Sequence, residues 1–482
     1  MKGNVEINTH FLLQSIPKLI LKIKAMTRSS GSYTESGDLG PFDYFIEVNG
    51  IKIVSLGSAG GQPSVEKQFT LKVARIVQEL LSNKPGNIIS NKQDELIAYM
   101  SANEVIQRVG MSSYDSYTPD LENEPGWDNL MDSTLNTDFI WQLDGDSGNT
   151  QSTEVIEHML HTITRFGLPG VYGKEFDYDS PNSLISRAFE EAKENGVYST
   201  EEYSGGDQGD PDFQIMLKQE YMYCLIYANW GMISTHVDGG SLSPEWSDSH
   251  LTSKSIRQDN PLGQKVFDEY ISTVISAPNI EIVDVQFKDL GGGVELYTPD
   301  GFDLVGGKDS DNLKGNNGNN VISGSSGDDT LIGVRGKDSL SGGLGDDLVR
   351  AGNGRDVIDG GDGSDTMHGG FGLNTFEDAD DGEIDQLFFK SDQHAYNWIY
   401  DKDGNSPNGE KADKIMELDP FDEIFVQGVE TEELDFGNVV HYSNLGETLE
   451  GIGIYASGTL EAVYVGDDLS LDQIAAMTQG IL

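Results

Sequence analysis

The sequence predicts a multidomain α+β protein. It divides into an α-rich N-terminal domain over residues 1–299, a block of short stacked strands over residues 300–378, and a β-rich C-terminal cap over residues 379–482. Before the block, apolar residues recur at intervals of three and four, and within it one apolar residue recurs at every ninth position. After the block glycines become rarer and aromatic residues return, which indicates alternating strands.

The composition restricts the class of partner. The chain has 81 acidic and 31 basic residues, a net charge of −50. We therefore expect repulsion from nucleic acids and anionic membranes, and attraction to divalent cations. Cys224 is the one cysteine, which excludes an intramolecular disulfide and a cysteine-based zinc cluster.

Hydropathy predicts neither a signal peptide nor a transmembrane segment. The apolar stretch within residues 1–30 is interrupted by Gln14, Pro17 and Lys18. The longest apolar run, Tyr221–Ile233, has about 13 residues, whereas a membrane-spanning helix needs about 20.

The N-terminal domain begins with a hairpin signal, because Asn49-Gly50 joins two apolar-rich runs. An amphipathic helix is predicted to follow Pro63, since its apolar residues are three and four apart. Further helices are predicted at Lys92–Val109, Thr153–Phe166, Ser183–Glu194 and Asp212–Trp230.

The third of these helices gathers four potential metal ligands. Glu154, Glu157, His158 and His161 fall on one stripe, opposite a set of aliphatic residues. The sequence E-H-x-x-H resembles the H-E-x-x-H helix of zinc metallopeptidases with its first two residues exchanged. The resemblance implies zinc or another transition metal bound by Glu157 and His161, with His158 as general base. The alternative is an ordinary solvated face, to which Arg165 also belongs.

Glu220 is a second candidate ligand. It lies in a helix that is apolar nearly all round, where an ionised carboxylate is costly unless it is paired or bound to a metal. A salt bridge to Arg165 or Arg187 is one explanation. The other is that Glu220 supplies a third ligand to the metal.

A loop further along gathers more polar groups. Residues 234–250 contain His236, Asp238, Glu245, Asp248 and His250. Such loops often line sites, although single polar residues in them usually have no chemical role. These residues are therefore the last of the candidates.

Residues 306–377 form eight consecutive nonapeptides without an insertion. Every eighth position is apolar, and the sixth position is Asp or Asn throughout. A flexible linker would explain the 19 glycines among these 72 residues, but not the fixed phase of the apolar position. Glycines at the first and fourth positions are expected to adopt positive φ and to let carbonyl oxygens converge, and carbonyl and carboxylate oxygens together suit calcium.

The nonapeptide G-G-x-G-x-D-x-U-x is similar to the calcium-binding repeat of RTX (repeats-in-toxin) proteins. The resemblance implies a parallel β-roll of about four coils, each made of two nonapeptides. The calcium-binding carboxylates would be Asp311, Asp329, Asp338, Asp347, Asp356 and Asp365. The thin apolar row and the repelling carboxylates predict a block that folds only when calcium binds.

Four positions depart from the repeat. Asp309 replaces a fourth-position glycine, Ala351 replaces a first-position glycine, and Asn320 and Asn374 replace the sixth-position Asp. We expect these repeats to bind calcium less well.

The final stretch, residues 451–482, resembles the segment that closes many RTX proteins exported by type I secretion. The resemblance implies a secreted, extracellular protein whose partners are calcium ions and the type I secretion machinery. The N-terminal domain is then expected to be a metal-dependent hydrolase of the peptidase type. The alternative is a non-enzymatic surface or adhesion protein.

Overall fold

A computed structural model describes residues 34–35, 41–58, 64–82, 87–111, 135–143, 149–287, 293–298, 301–377, 381–391, 412–442, 448–466 and 468–482. The segment considered for a signal peptide, residues 1–30, lies outside them. The chain divides into two compact units, residues 1–288 and 289–482. The division into three domains predicted from the sequence stays a prediction.

The N-terminal unit contains a five-stranded sheet in the order β1-β2-β3-β4-β5. Strands β1 to β3 are antiparallel neighbours, and β3, β4 and β5 are parallel. The strands are β1 (Thr34–Glu35), β2 (Phe42–Val48), β3 (Ile51–Leu56), β4 (Val105–Met111) and β5 (Leu135–Gln142). The predicted hairpin is confirmed, because Asn49 and Gly50 turn β2 into β3 with φ of 44° and 82°.

The described part of the N-terminal unit is rich in helices, as predicted, and several of them contact the sheet. They are α1 (Lys67–Leu80), α2 (Ser90–Ala102), α3 (Asn149–Thr162), α4 (Leu168–Tyr172), α5 (Leu184–Glu194), α6 (Pro211–Trp230), α7 (Ile233–His236), α8 (Ser253–Asp259), α9 (Pro261–Val266) and α10 (Ile280–Phe287). Helix α3 packs on β5, α1, α6 and α10, and continues into a π-helical turn at Ile163–Gly167. No helix in the described part of the chain is both long and apolar enough to span a bilayer.

One helix prediction was wrong. The expected helix Lys92–Val109 ends at Ala102, and Val105–Met111 is the buried strand β4. Glu104 adopts a positive φ of 50°, which turns the chain out of the helix. Six of the seven residues of β4 are buried. Tertiary pairing with β3 and β5 therefore overrides the local helical pattern.

The second unit is a parallel β-roll continued by C-terminal strands. One sheet has the order β22-β18-β16-β14-β12-β10-β8, and the other has the order β19-β20-β21-β17-β15-β13-β11-β9-β7-β6. The strands before and within the repeats are β6 (Val294–Thr298), β7 (Gly301–Val305), β8 (Asn312–Lys314), β9 (Val321–Ser326), β10 (Thr330–Gly336), β11 (Ser339–Leu344), β12 (Leu348–Gly354), β13 (Val357–Asp362), β14 (Thr366–Gly372) and β15 (Thr375–Glu377). The C-terminal elements are β16 (Gln386–Lys390), β17 (Asp413–Ile415), β18 (Glu423–Gln427), β19 (Leu434–Tyr442), β20 (Thr448–Ala456), β21 (Thr459–Tyr464), α11 (Leu471–Met477) and β22 (Thr478–Ile481).

Each coil of the roll uses two nonapeptides, as expected. Odd and even repeats lie in different sheets, so that Leu331 pairs with Val349 in one sheet and Leu340 pairs with Ile358 in the other. The eighth-position side chains form one buried apolar row between the sheets: Leu313, Ile322, Leu331, Leu340, Val349, Ile358, Met367 and Phe376. The row continues through Leu387, Ile415 and Ile424, so the C-terminal strands extend the same core.

Candidate metal sites

The sixth-position carboxylates form a hydrogen-bonded ladder along each side of the roll. On one side, the amides of Asp311, Asp329 and Asp347 each donate to Oδ1 of the Asp 18 residues later, at 2.6 to 2.7 Å. On the other side, the amides of Asn320 and Asp338 donate in the same way to Asp338 and Asp356, at 2.9 Å. Each carboxylate is therefore fixed by the coil before it.

The second oxygen of these carboxylates is left without a donor. Five of the six predicted calcium ligands have a buried Oδ2 that accepts no hydrogen bond from the described protein: Asp329, Asp338, Asp347, Asp356 and Asp365. A buried anionic oxygen without a partner is destabilising, and a cation removes that cost. Asp311, the sixth candidate, is also buried, and its Oδ2 accepts from the amide of Gly307.

First-position glycines supply the space around these oxygens. A Cβ added to Gly324 would collide with Oδ2 of Asp329 and with the carbonyl oxygen of Gly342. At Gly333 it would lie 2.6 Å from Oδ2 of Asp338 and 2.5 Å from the carbonyl oxygen of Ala351. A carboxylate oxygen and a main-chain carbonyl therefore converge at both of these glycines. This donor set fits calcium, which prefers carboxylate and carbonyl oxygens.

The glycines that adopt a positive φ are not all those expected from the sequence. Positive φ occurs at the second and fourth positions of the repeat, as at Gly343 (113°) and Gly345 (119°), rather than at the first and fourth. At first-position glycines such as Gly324 and Gly333 the constraint is one of space and not of φ, although Ala351 occupies the same position in another repeat. At the second position, Ser325 and Val334 also have positive φ, of 80° and 85°. This conformation strains the backbone of Val334 in particular, because valine is β-branched.

Burial perturbs the titration of the ladder carboxylates. It raises the pKa of Asp329, Asp356 and Asp365 to about 7 and that of Asp347 to about 6, from an ordinary value of 3.8. Burial also raises the pKa of Asp338. The charges of neighbouring ladder carboxylates add to this effect at Asp329 and Asp365. Protons and calcium therefore compete for the same oxygens.

The ladders extend past the repeats, which the nonapeptide pattern did not predict. The amide of Asp365 donates to Asp385, 20 residues later, and the amide of Asp385 donates to Asp422, 37 residues later. On the other side the amide of Asn374 donates to Asp413, 39 residues later. The missed signal was the reduced pattern Asp-x-Leu/Ile, which these segments keep without the glycines.

The first ladder ends at Asp422, whose carboxylate oxygens are both bound by main-chain amides. Asp422 accepts from the amide of Asp385 with Oδ1 and from the amide of Asp419 with Oδ2. Both oxygens of Asp422 therefore have main-chain donors, in contrast to the carboxylates of the repeats.

The N-terminal unit brings Glu157, His161 and Glu220 together. One ligand atom from each lies within 4.8 Å of the other two, and Nε2 of His161 is 3.7 Å from Oε2 of Glu220. Helix α3 presents Glu157 and His161 one turn apart, and Glu220 reaches them from α6. The His161 side chain is only 4% exposed, so this end of the polar stripe is buried and not solvated.

Arg165 was one of the two cations considered as a partner of Glu220. The guanidinium carbon of Arg165 lies 5.2 Å from the centroid of the Tyr178 ring. Glu220 instead pairs with His161. Burial raises the pKa of Glu157 to about 7. The charges of Glu154 and Glu245 raise it further, whereas the charge of His158 lowers it. A divalent cation would relieve this repulsion.

His158 lies beside the cluster, with its ring centroid 5.7 Å from that of His161. Its Nδ1 is 2.9 Å from the main-chain oxygen of Glu154. Because a carbonyl oxygen only accepts, Nδ1 carries the hydrogen in the neutral ring, and Nε2 is the basic nitrogen.

The loop of residues 234–250, which ranked last among the candidates from sequence, contributes one residue near the cluster of Glu157, His161 and Glu220. Oε1 of Glu245 accepts hydrogen bonds from the hydroxyls of Tyr198 and Tyr203, both at 2.9 Å. The charges of Glu220 and Glu245 both raise the pKa of the Tyr203 hydroxyl, so the two carboxylates lie near the same phenol. Main-chain pairing of Tyr198 with Trp246 holds this loop in place. Only the long-range contact, not the local pattern, identifies Glu245.

The other polar residues of that loop belong to separate networks. His236 contacts Ser152 and Asp284 at 2.9 and 3.0 Å, and His250 contacts Asp259 at 3.0 Å. Asp248 accepts from Ser241, and the charge of Asp238 acts on His236.

The model of the family described as "RTX calcium-binding nonapeptide repeat (4 copies)" matches residues 305–340 and 341–376. The two matches cover the coils that carry the carboxylate ladders and the first-position glycines. They confirm the predicted class of repeat. No curated protein and no solved structure was found to match the chain. Residues 305–376 are thus calcium-binding repeats folded as a parallel β-roll. More particularly, they are RTX nonapeptide repeats.

Proposed function

We propose that this RTX protein is exported by the type I secretion machinery and folds its roll on extracellular calcium. Extracellular calcium modules bind with dissociation constants of about 10⁻⁴ to 10⁻³ M, far above cytosolic calcium. The row of buried Oδ2 atoms supports the proposal, because it makes the folded roll costly wherever calcium is scarce. A chain that stays unfolded inside the cell is competent to thread a secretion channel.

We propose further that the N-terminal unit is a metal-dependent hydrolase of the peptidase type. The observation that carries this proposal is the convergence of Glu157, His161 and Glu220 from two helices. A transition metal such as zinc, when bound there, would act as a Lewis acid and lower the pKa of a water molecule.

His158 would then accept a proton from the attacking water at Nε2, while the water oxygen forms a bond to the substrate carbonyl carbon. The carbon–nitrogen or carbon–oxygen bond to the leaving group breaks in the second step, and His158 returns the proton to that group. The products are a carboxylic acid and an amine or alcohol.

Metal analysis of the full chain tests the hydrolase proposal. The protein is treated with EDTA, returned to calcium buffer, offered zinc, manganese or iron, and analysed for bound metal. We expect about one transition metal per chain, and its loss in His161→Ala and Glu220→Gln. Glu194→Gln is the control, since Glu194 is exposed on a different helix and lies outside the cluster. No transition metal in any sample would favour the non-enzymatic surface or adhesion protein.

A further inference from the structure

Tyr223 carries a buried hydroxyl that has no hydrogen-bond acceptor within the described residues. The residue is 3% exposed, so water does not readily satisfy the O–H group. Buried donors without acceptors are rare and costly. Such a group in a native fold therefore calls for a specific explanation.

The other tyrosines of helix α6 sharpen the contrast. The hydroxyl of Tyr221 donates to Asn260 at 2.7 Å, and that of Tyr227 lies 3.2 Å from Nδ1 of His236. All three phenols are buried in the same helix, but only that of Tyr223 lacks a protein acceptor in the described structure.

The position of Tyr223 points to the cluster of metal-ligand candidates. It follows Glu220 by three residues, so the two side chains share a face of α6. Its ring packs edge-on against that of His161, with centroids 6.4 Å apart. The charges of Glu157 and Glu220 both act on its hydroxyl. The Tyr223 side chain thus lies near all three residues, and its hydroxyl forms no hydrogen bond to any of them.

We infer that Tyr223 donates its hydrogen bond to an oxygen atom of the molecule that the Glu157, His161 and Glu220 site binds. This inference rests on the proposed metal-dependent hydrolase and names the class of substrate group, a carbonyl compound such as an amide or ester. As the water oxygen bonds to the carbonyl carbon, the π electron pair moves to the carbonyl oxygen, which becomes negatively charged. Tyr223 keeps its proton and stabilises that charge by donating to it.

The test uses the full chain loaded with cobalt, whose visible absorption reports ligands at the metal. Acetohydroxamate is the oxygen-bearing probe, and imidazole, which binds metal through nitrogen, is the comparison probe. We expect Tyr223→Phe to weaken acetohydroxamate binding about tenfold, while imidazole affinity and cobalt content stay unchanged. Tyr221→Phe is the matched control, since its phenol is already bonded to Asn260, and it should leave both probe affinities unchanged.

Equal acetohydroxamate affinity in the wild type and Tyr223→Phe would overturn the inference, as would an equal loss for both probes, because the latter indicates a packing defect. Thermal melting of the metal-free proteins checks folding, and Tyr223→Phe should be no less stable than the wild type. If the wild type takes up no cobalt, the hydrolase proposal itself fails. If cobalt binds and the two probes respond alike, only the role of Tyr223 fails.

Discussion

The amide of Asp329 donates a 2.7 Å hydrogen bond to Oδ1 of Asp347, the equivalent residue of the next coil. The bond uses one oxygen of the carboxylate and leaves Oδ2 buried without a donor. The same carboxylate thus joins two coils through its first oxygen and offers its second to a cation.

Near pH 8, where the ladder carboxylates lose their protons, we expect the roll to fold only with calcium. In hydrogen-exchange mass spectrometry of the full chain, the amides of β8 to β15 should be protected in millimolar calcium and exchange rapidly in EDTA. The amides of α5, which carries no proposed metal ligand, provide an internal control and should be equally protected in both buffers. Strong protection of β8 to β15 in EDTA would contradict the proposed dependence on calcium.

Replacing Asp347 by Asn should remove calcium sites without disrupting the fold of the coil. The native Asn374 occupies an equivalent position, and its Oδ1 accepts the ladder bond from the amide of Asp356, so Asn is compatible with this geometry. The loss of one carboxylate charge should weaken calcium binding at the adjoining sites about tenfold or more, measured by calorimetric titration. Asp346→Asn is the control, because Asp346 is exposed and accepts only an exposed main-chain bond. Equal affinity in Asp347→Asn and the wild type would rule out Asp347 as a ligand.

Val334→Gly should stabilise the calcium-bound roll by about 1–3 kcal/mol, because it relieves the positive φ of a β-branched residue. The reverse change, Gly352→Val at the facing position in the next coil, should be destabilising. Its φ is 109°, and an added Cβ would collide with the carbonyl oxygen of Val334. Urea denaturation in saturating calcium measures both effects. A lower midpoint for Val334→Gly would show that the valine side chain contributes more than its strain costs.

Calcium affinity should rise with pH between about 5 and 8. In the metal-free fold the pKa of Asp329, Asp356 and Asp365 is about 7, whereas the unfolded value is near 3.8. The metal-free fold therefore binds more protons than the unfolded chain in this range, and its stability is lost as pH rises toward 7. When calcium binds, it displaces these protons from the carboxylates.

Titration calorimetry in two buffers with different ionisation enthalpies would measure the protons released. Hydrogen exchange in EDTA should also show more protection of the roll at pH 5 than at pH 8. Proton release near zero at pH 6 would mean that these carboxylates are already ionised before calcium binds.

Local patterns predicted the repeats well because every contact that defines a coil recurs at a fixed interval. The apolar row from Leu313 to Phe376 follows from the nonapeptide alone, whereas the use of two nonapeptides per coil, and hence the alternation of sheets, was implied by the resemblance to RTX repeats. Asp385, Asp413 and Asp422 were missed because the chain between successive ladder residues lengthens from 18 to 20, 37 or 39 residues. A fixed period cannot detect a ladder whose spacing varies.

In the N-terminal unit, the sequence predicted the helices that carry Glu157, His161 and Glu220, and their apolar context raised the question of a partner for Glu220. It did not predict β4, whose burial between β3 and β5 depends on residues far away in the chain. It also gave no weight to Tyr223 or Glu245, since their roles depend on which neighbours satisfy a hydroxyl or a carboxylate. The ligand roles of Glu157, His161 and Glu220 and the base role of His158 stay predictions.

The amide of Asp385 donates to Asp422 across 37 residues, in the same way that the amide of Asp329 donates to Asp347 across 18. The number of residues between successive ladder carboxylates is therefore free to change, while the point of attachment of the next strand does not.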